Sequence, residues 1–173
     1  MIAALAAVRL WLHIGAVEKR SDIMRIGERR ALTPGETELG SSVFGDEIDW
    51  RRVRILQAPA LTFGAMVPLG RTIVFSKWRA ARDFASAPLR EQGWFVHELA
   101  HVWQAARGTV LAAAKLGAIG KRAYAYKPRA CDLRAYNIER QAEIVRHLFL
   151  ARASAPERNA PPLTWLEACW ASR

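Results

Sequence analysis

The chain has 173 residues, of which 51% are hydrophobic and seven are tryptophan, and it carries a formal net charge of +10. That length buries one substantial core and leaves too little for a second independent domain. The charge suits an anionic partner but specifies neither fold nor chemistry. Its local concentrations, Arg25/Arg29/Arg30, Arg51/Arg52/Arg54 and Lys121/Arg122/Lys127/Arg129, carry no RNA- or DNA-binding signature. A generally basic surface is expected there, rather than a dedicated nucleic-acid site.

At the N-terminus, Ile2, Leu5, Val8, Trp11 and Leu12 recur at helical spacing, while Arg9 and His13 interrupt the apolar run well short of a membrane span. An amphipathic helix packed on the domain is expected, with a degenerate signal peptide as the second reading. A basic connector leads to "TPGE" at Thr33–Glu36, a capping box with Thr33 as N-cap, Pro34 at the first helical position and Glu36 reaching back. That helix should stop at Gly45. "RVRILQ" from Arg52 and "RTIVFS" from Arg71 read as strands, separated by a loop carrying Gly64, Pro68 and Gly70.

A long helix is expected from Ser86–Pro88 to Arg107, closed by Gly108. Residues 109–119 are helix-tolerant, and Gly120 to Leu133 read as irregular. A second long helix should start at the cap Asn137, followed after "APERNAPP" by a short amphipathic one with Trp165, Leu166, Cys169 and Trp170 inward. Cys131 and Cys169 are too few for a disulfide framework or a CxxC zinc site. They pair with each other or remain two buried thiols, and thiols suit an intracellular chain. No transmembrane segment is read, and the expected location is the cytoplasm, with export by a specialised secretion machine left open.

The first long helix contains "HELAH". His97 and His101, one turn apart, share a face and can bind one Zn²⁺. Glu98 is rotated just enough to stand beside the metal, where a general base for a metal-activated water is needed. Four histidines and eleven glutamates give about 0.006 expected chance matches to HExxH in a chain this long.

A catalytic zinc needs a third protein ligand and an open position. Glu139 and Glu143 share a face of the second long helix. Glu139 ranks first as ligand, with Glu143 hydrogen-bonded to a ligand histidine. His147 ranks second, and Glu143 as a swapped ligand third. A solvated acidic face paired with Arg140 and Arg146 is the structural alternative.

"HELAHVWQ" followed by "YNIERQAEI" resembles the gluzincin class of zinc metallopeptidases. The resemblance implies His97, His101 and Glu139 as ligands, Glu98 as base, and Glu143 supporting a ligand, where an aspartate is more usual. "LTPGE", "VFGDEIDWRRVRI", "GRTIVFS" and "HELAHVWQ", in that order over residues 30–104, look like the metallopeptidase-like domain of bacterial contractile injection systems, including Vgr-related proteins.

Together these imply an α+β, mainly helical, compact zincin-like domain, with an active-site helix, a small sheet and a second ligand-bearing helix. Residues 1–173 form a single domain in this reading: N-terminal helix and connector 1–30, core 31–153, helical tail 154–173. The implied activity is zinc-dependent hydrolysis of a peptide or protein substrate, with a secretion- or injection-system protein as possible partner. Tyr126 and Tyr136 are candidates for stabilising the oxyanion, Tyr124 lies in the same segment, and Trp94 and Trp103 are expected to pack. The strand "RTIVFS" is expected to offer an edge to an extended peptide. The alternative is a metal-binding scaffold or assembly protein of a secretion system with weak or no catalytic power.

Overall fold

The computed structural model describes residues 22–59, 64–68, 70–76, 79–116, 118, 123–128 and 132–173. The expected N-terminal helix and His13 lie outside them. Among the described residues, four strands and five α-helices follow one another: β1 (Arg29–Ala31), α1 (Pro34–Phe44), β2 (Arg54–Gln57), β3 (Ala65–Met66), β4 (Thr72–Phe75), α2 (Leu89–Ala106), α3 (Leu111–Leu116), α4 (Ile138–Arg152) and α5 (Leu163–Ala171). The architecture is α+β and mainly helical, with a small mixed sheet in the order β1-β2-β4-β3. β2 and β4 run parallel, and β1 and β3 are antiparallel to their neighbours.

The capping box forms as its residue types dictate. Thr33 accepts from the Glu36 backbone N–H and Glu36 from the Thr33 N–H. Glu36 is fully buried and also takes both terminal nitrogens of Arg30 and the Phe84 N–H, so one carboxylate ties β1, α1 and the approach to α2 together. α1 stops at Gly45, whose φ of +59° suits glycine. Gly40 lets the Trp50 ring lie against the helix, since a Cβ there would meet it at 2.6 Å.

Two strands escape the sequence pattern. β1 lies in the expected connector and β3 in the expected loop; at three and two residues neither is long enough to show alternation. The strand from Arg71 is also corrected in role. β4 lies between β2 and β3, and β3 takes the edge.

α2 is buried on almost every side from Phe95 to Gln104, because the sheet, α1 and α4 all pack on it. Phe95 stacks on Phe84 at 4.7 Å, and Phe84 on Phe75 at 5.1 Å, joining helix to sheet. α4 is the principal partner of α2 and carries its own cap at Asn137. α5 closes the far side with Leu166, Cys169 and Trp170 buried, and Trp170 meets Phe44 edge-on at 5.7 Å. Cys169 is disulfide-bonded, which corrects the expectation of buried thiols; Cys131 lies outside the described residues.

Candidate metal centre

The α2–α4 interface brings His97, His101 and Glu139 together, all nearly excluded from solvent. Glu139 Oε2 lies 3.4 Å from His97 Nε2 and 3.2 Å from His101 Nε2. Ligand atoms held about 2.0–2.1 Å from a tetrahedral Zn²⁺ stand about 3.3 Å apart. The separations and the donor set, two imidazoles and one carboxylate, therefore fit zinc.

The far side of each imidazole is also held. His97 Nδ1 faces Glu143 Oε2 at 3.2 Å, and His101 Nδ1 faces Gln104 Oε1 at 2.9 Å. A partner on Nδ1 selects the tautomer that leaves Nε2 able to donate its lone pair. Gln104 is oriented in turn by donating to the Ile138 carbonyl and Gln141 Oε1. The glutamine ends the quoted "HELAHVWQ", yet only the fold shows it three residues along from His101 and against the start of α4.

Glu143 is held from behind by Arg146, whose Nε and terminal nitrogen lie 3.0 and 2.6 Å from its oxygens. The guanidinium is buried, also grips Glu157, and lies 4.5 Å over the Trp94 ring. Glu143 thus has both expected partners, a histidine and an arginine. Burial tends to raise its pKa, but His97 and Arg146 outweigh this and bring it down to about 2. Burial likewise tends to lower that of His97, yet hydrogen bonds to Glu139 and Glu143 and the nearby Glu98 charge raise it to about 9. Glu139 is held well below the usual carboxylate range against its burial, by His101, His97 and Lys115. Lys115, on α3, reaches Glu139 Oε1 at 3.4 Å, a contact with no motif to announce it.

Glu98 is 5% exposed, and its Oε2 has no hydrogen-bond partner among the described residues. Buried carboxylate oxygens are ordinarily satisfied, and an orphan one calls for an explanation such as a catalytic role or a bound water or ion. Glu98 lines a hollow of about 440 Å³ with His97, Trp94, Lys115, Tyr124 and the edge segment Gly64–Met66.

Of the residues ranked behind Glu139, His147 stands apart. Its Nδ1 is 2.6 Å from the Tyr126 hydroxyl, and its Nε2 faces Arg146 and Glu157. Glu143, His147 and Glu157 converge closely enough to suggest a second cation site, but the Arg146 guanidinium already supplies the cation. Tyr126 stacks near Trp165, and Tyr136 donates to the Lys127 carbonyl. Neither lines the hollow at His97, whereas Tyr124 does, 5.9 Å from the His97 ring. Burial and the surrounding carboxylates push the Tyr124 hydroxyl up to about 12, so it stays a donor. Trp94 forms part of the wall, while Trp103 is a core residue bonded to Glu47.

No protein-family model matches the chain. It is 34% identical over 142 residues, 76% of its length, to the type VI secretion system spike protein VgrG2b of Pseudomonas aeruginosa strain PAO1. The match spans only 14% of that much longer protein. Among solved structures, the effector domain of Pseudomonas aeruginosa VgrG2b superposes with a TM-score of 0.63 at 29% identity, covering 91% of this chain and 90% of that domain. Sequence and fold agree on the same protein, and the chain is a homologue of the VgrG2b effector domain.

Proposed function

We propose that the chain is an effector-type domain associated with a type VI secretion system, and that its buried site hydrolyses peptide bonds with zinc. Homology to the VgrG2b effector domain supports the association. The reading of hydrolysis rests on one observation, the unsatisfied Glu98 oxygen beside three convergent zinc-type donors.

His97, His101 and Glu139 would hold the ion, with Glu143 and Gln104 orienting the imidazoles. Zinc, when bound, supplies a Lewis acid that polarises a carbonyl and acidifies water. Glu98 Oε2 accepts the proton of the attacking water and returns it to the departing amine. A carboxylate walled off from bulk solvent keeps that proton for the leaving group. The substrate lies in the hollow with its backbone along Gly64–Met66, where β3 is the sheet edge, and the Tyr124 hydroxyl is the nearest phenolic donor to the developing oxyanion. β3 thereby takes the role that the sequence assigned to "RTIVFS".

Metal analysis of wild type, His97→Ala and Glu139→Ala tests the centre. Near-stoichiometric zinc lost in both variants is expected, and no zinc after reconstitution overturns it. Peptide-library cleavage with Glu98→Gln tests the chemistry: zinc retained and cleavage abolished is expected, and cleavage that persists refutes the assigned base. The second reading, a metal-binding scaffold of the secretion system, is favoured by the homology to part of a spike protein. It predicts bound zinc with no cleavage in wild type.

A further inference from the structure

A second hollow, of about 370 Å³, is lined by Arg29, Arg52, Arg54, Arg71 and Thr72. It shares no residue with the hollow at Glu98. Among the described residues, no acidic side chain pairs with Arg29, Arg52 or Arg71. Several other arginines hold carboxylates: Arg30 holds Glu36, Arg82 Glu28, Arg107 Glu47 and Arg152 Glu167. Asp49 lines the adjoining hollow with Arg52 and Arg71, and Arg51 approaches it at 3.8 Å.

The backbone imposes this grouping. β2 and β4 run parallel with Arg54 beside Thr72, and antiparallel β1 sets Arg29 opposite Leu56, on the same face and diagonal to Arg54. The Arg54 guanidinium is fastened to the carbonyls of Arg51 and Val53. Arg71 follows Gly70, whose φ is +72° and where an added Cβ would meet that of Ala105 on α2 at 2.7 Å. The turn is seated on the helix, so Arg71 is delivered to the rim by packing. Like charges brought together without a counter-charge repel one another, and a bound anion relieves that cost.

We infer that Arg29, Arg52, Arg54 and Arg71 form a binding site for a small phosphate-bearing polyanion. Guanidinium forks match phosphate oxygens in pairs, and several of them neutralise a diphosphate-type group where one carboxylate would answer only one. The Thr72 hydroxyl adds a neutral donor. The hollow is open enough to take either a free phosphate compound or the headgroup of an anionic lipid.

Calorimetric titration of the whole protein with inorganic pyrophosphate tests the site. Saturable one-to-one binding that weakens with salt is expected, reduced about tenfold or more in Arg52→Gln and in Arg71→Gln. Both side chains are exposed, so the variants should melt with wild type. Arg134→Gln, an exposed arginine paired with Asp132, removes the same charge and should leave binding intact, which separates the site from net charge. Co-sedimentation with phosphatidylglycerol vesicles that pyrophosphate displaces assigns the headgroup as source; absence of vesicle binding assigns a free phosphate compound. Absence of saturable pyrophosphate binding overturns the inference, as does equal loss in Arg134→Gln. Duplex DNA binding that pyrophosphate fails to displace overturns it in favour of a nucleic-acid surface.

Discussion

Replacing Glu143 by glutamine separates the metal centre from its support. The side chain keeps its length and volume but loses the charge that His97 Nδ1 meets at 3.2 Å and that Arg146 meets at 2.6 and 3.0 Å. A glutamine can still present its carbonyl to Nδ1–H, so the tautomer survives while the imidazole becomes a weaker donor. Loss of such a support costs about 10–100-fold in metal affinity, or about 1.4–2.8 kcal/mol. Arg146 is buried yet retains Glu157 through two short contacts. Its cost should thus fall below the ~3–5 kcal/mol of a fully broken buried pair. About 2 kcal/mol is expected, a melting drop of about 4–8 °C for a chain of this size. Zinc competition with a chelator reads the first effect, and calorimetry of metal-free protein the second. Glu157→Gln, at a more exposed position (42%), serves as the control and should change zinc affinity little. Wild-type zinc affinity in Glu143→Gln, in a background where His97→Ala abolishes binding, would refute the chain of support from Arg146 through Glu143 to the metal.

Zinc affinity should rise with pH to about 9, because metal-free His97 is protonated below that value and must shed a proton to bind, at about tenfold per pH unit. Metal-free stability runs the other way. The raised folded-state pKa contributes its full effect below the unfolded value near 6.5, and this is lost as pH rises through about 9. Calorimetry at pH 6 and pH 9.5 should differ by about 3 kcal/mol from this group; a metal-free protein equally stable at both refutes the pairing. Glu98→Gln should leave metal-free protein as stable as wild type or raise it by about 1–3 kcal/mol, since it removes an unsatisfied buried charge; a marked loss on chemical denaturation would give Glu98 a structural role. Glu36→Gln should cost about 3–5 kcal/mol in a denaturant titration, because it strips the charge from the carboxylate holding Arg30. Gly40→Ala should cost about 1–3 kcal/mol by pressing a methyl group into the Trp50 ring, with the melting temperature as readout.

Local chemistry wrote much of this molecule plainly. Thr33, Pro34 and Glu36 spell a helix start, Gly45 and Gly108 spell stops, and Asn137 caps α4, because caps and turns depend on residues only a few positions apart. The pairs His97/His101 and Glu139/Glu143 were readable for the same reason, since helical spacing alone puts each pair on one face. Whether those faces meet is a question of packing, and only the α2–α4 interface brings Glu139 to the histidines while turning His147 toward Tyr126.

Strands β1 and β3 were illegible because so short a segment owes its extension to the strand beside it. The same dependence hid the sheet order that moves the edge from β4 to β3. Gln104, Lys115, Tyr124 and the arginine hollow escaped for a related reason: their partners lie on other elements, and charge or polarity at one position carries no record of what will face it. The sequence by itself determined where helices begin and end and which donors lie on each. Tertiary structure decided which donors converge, which oxygen of Glu98 is left without a partner, and which arginines have no acid, because each depends on contacts between segments far apart in the chain.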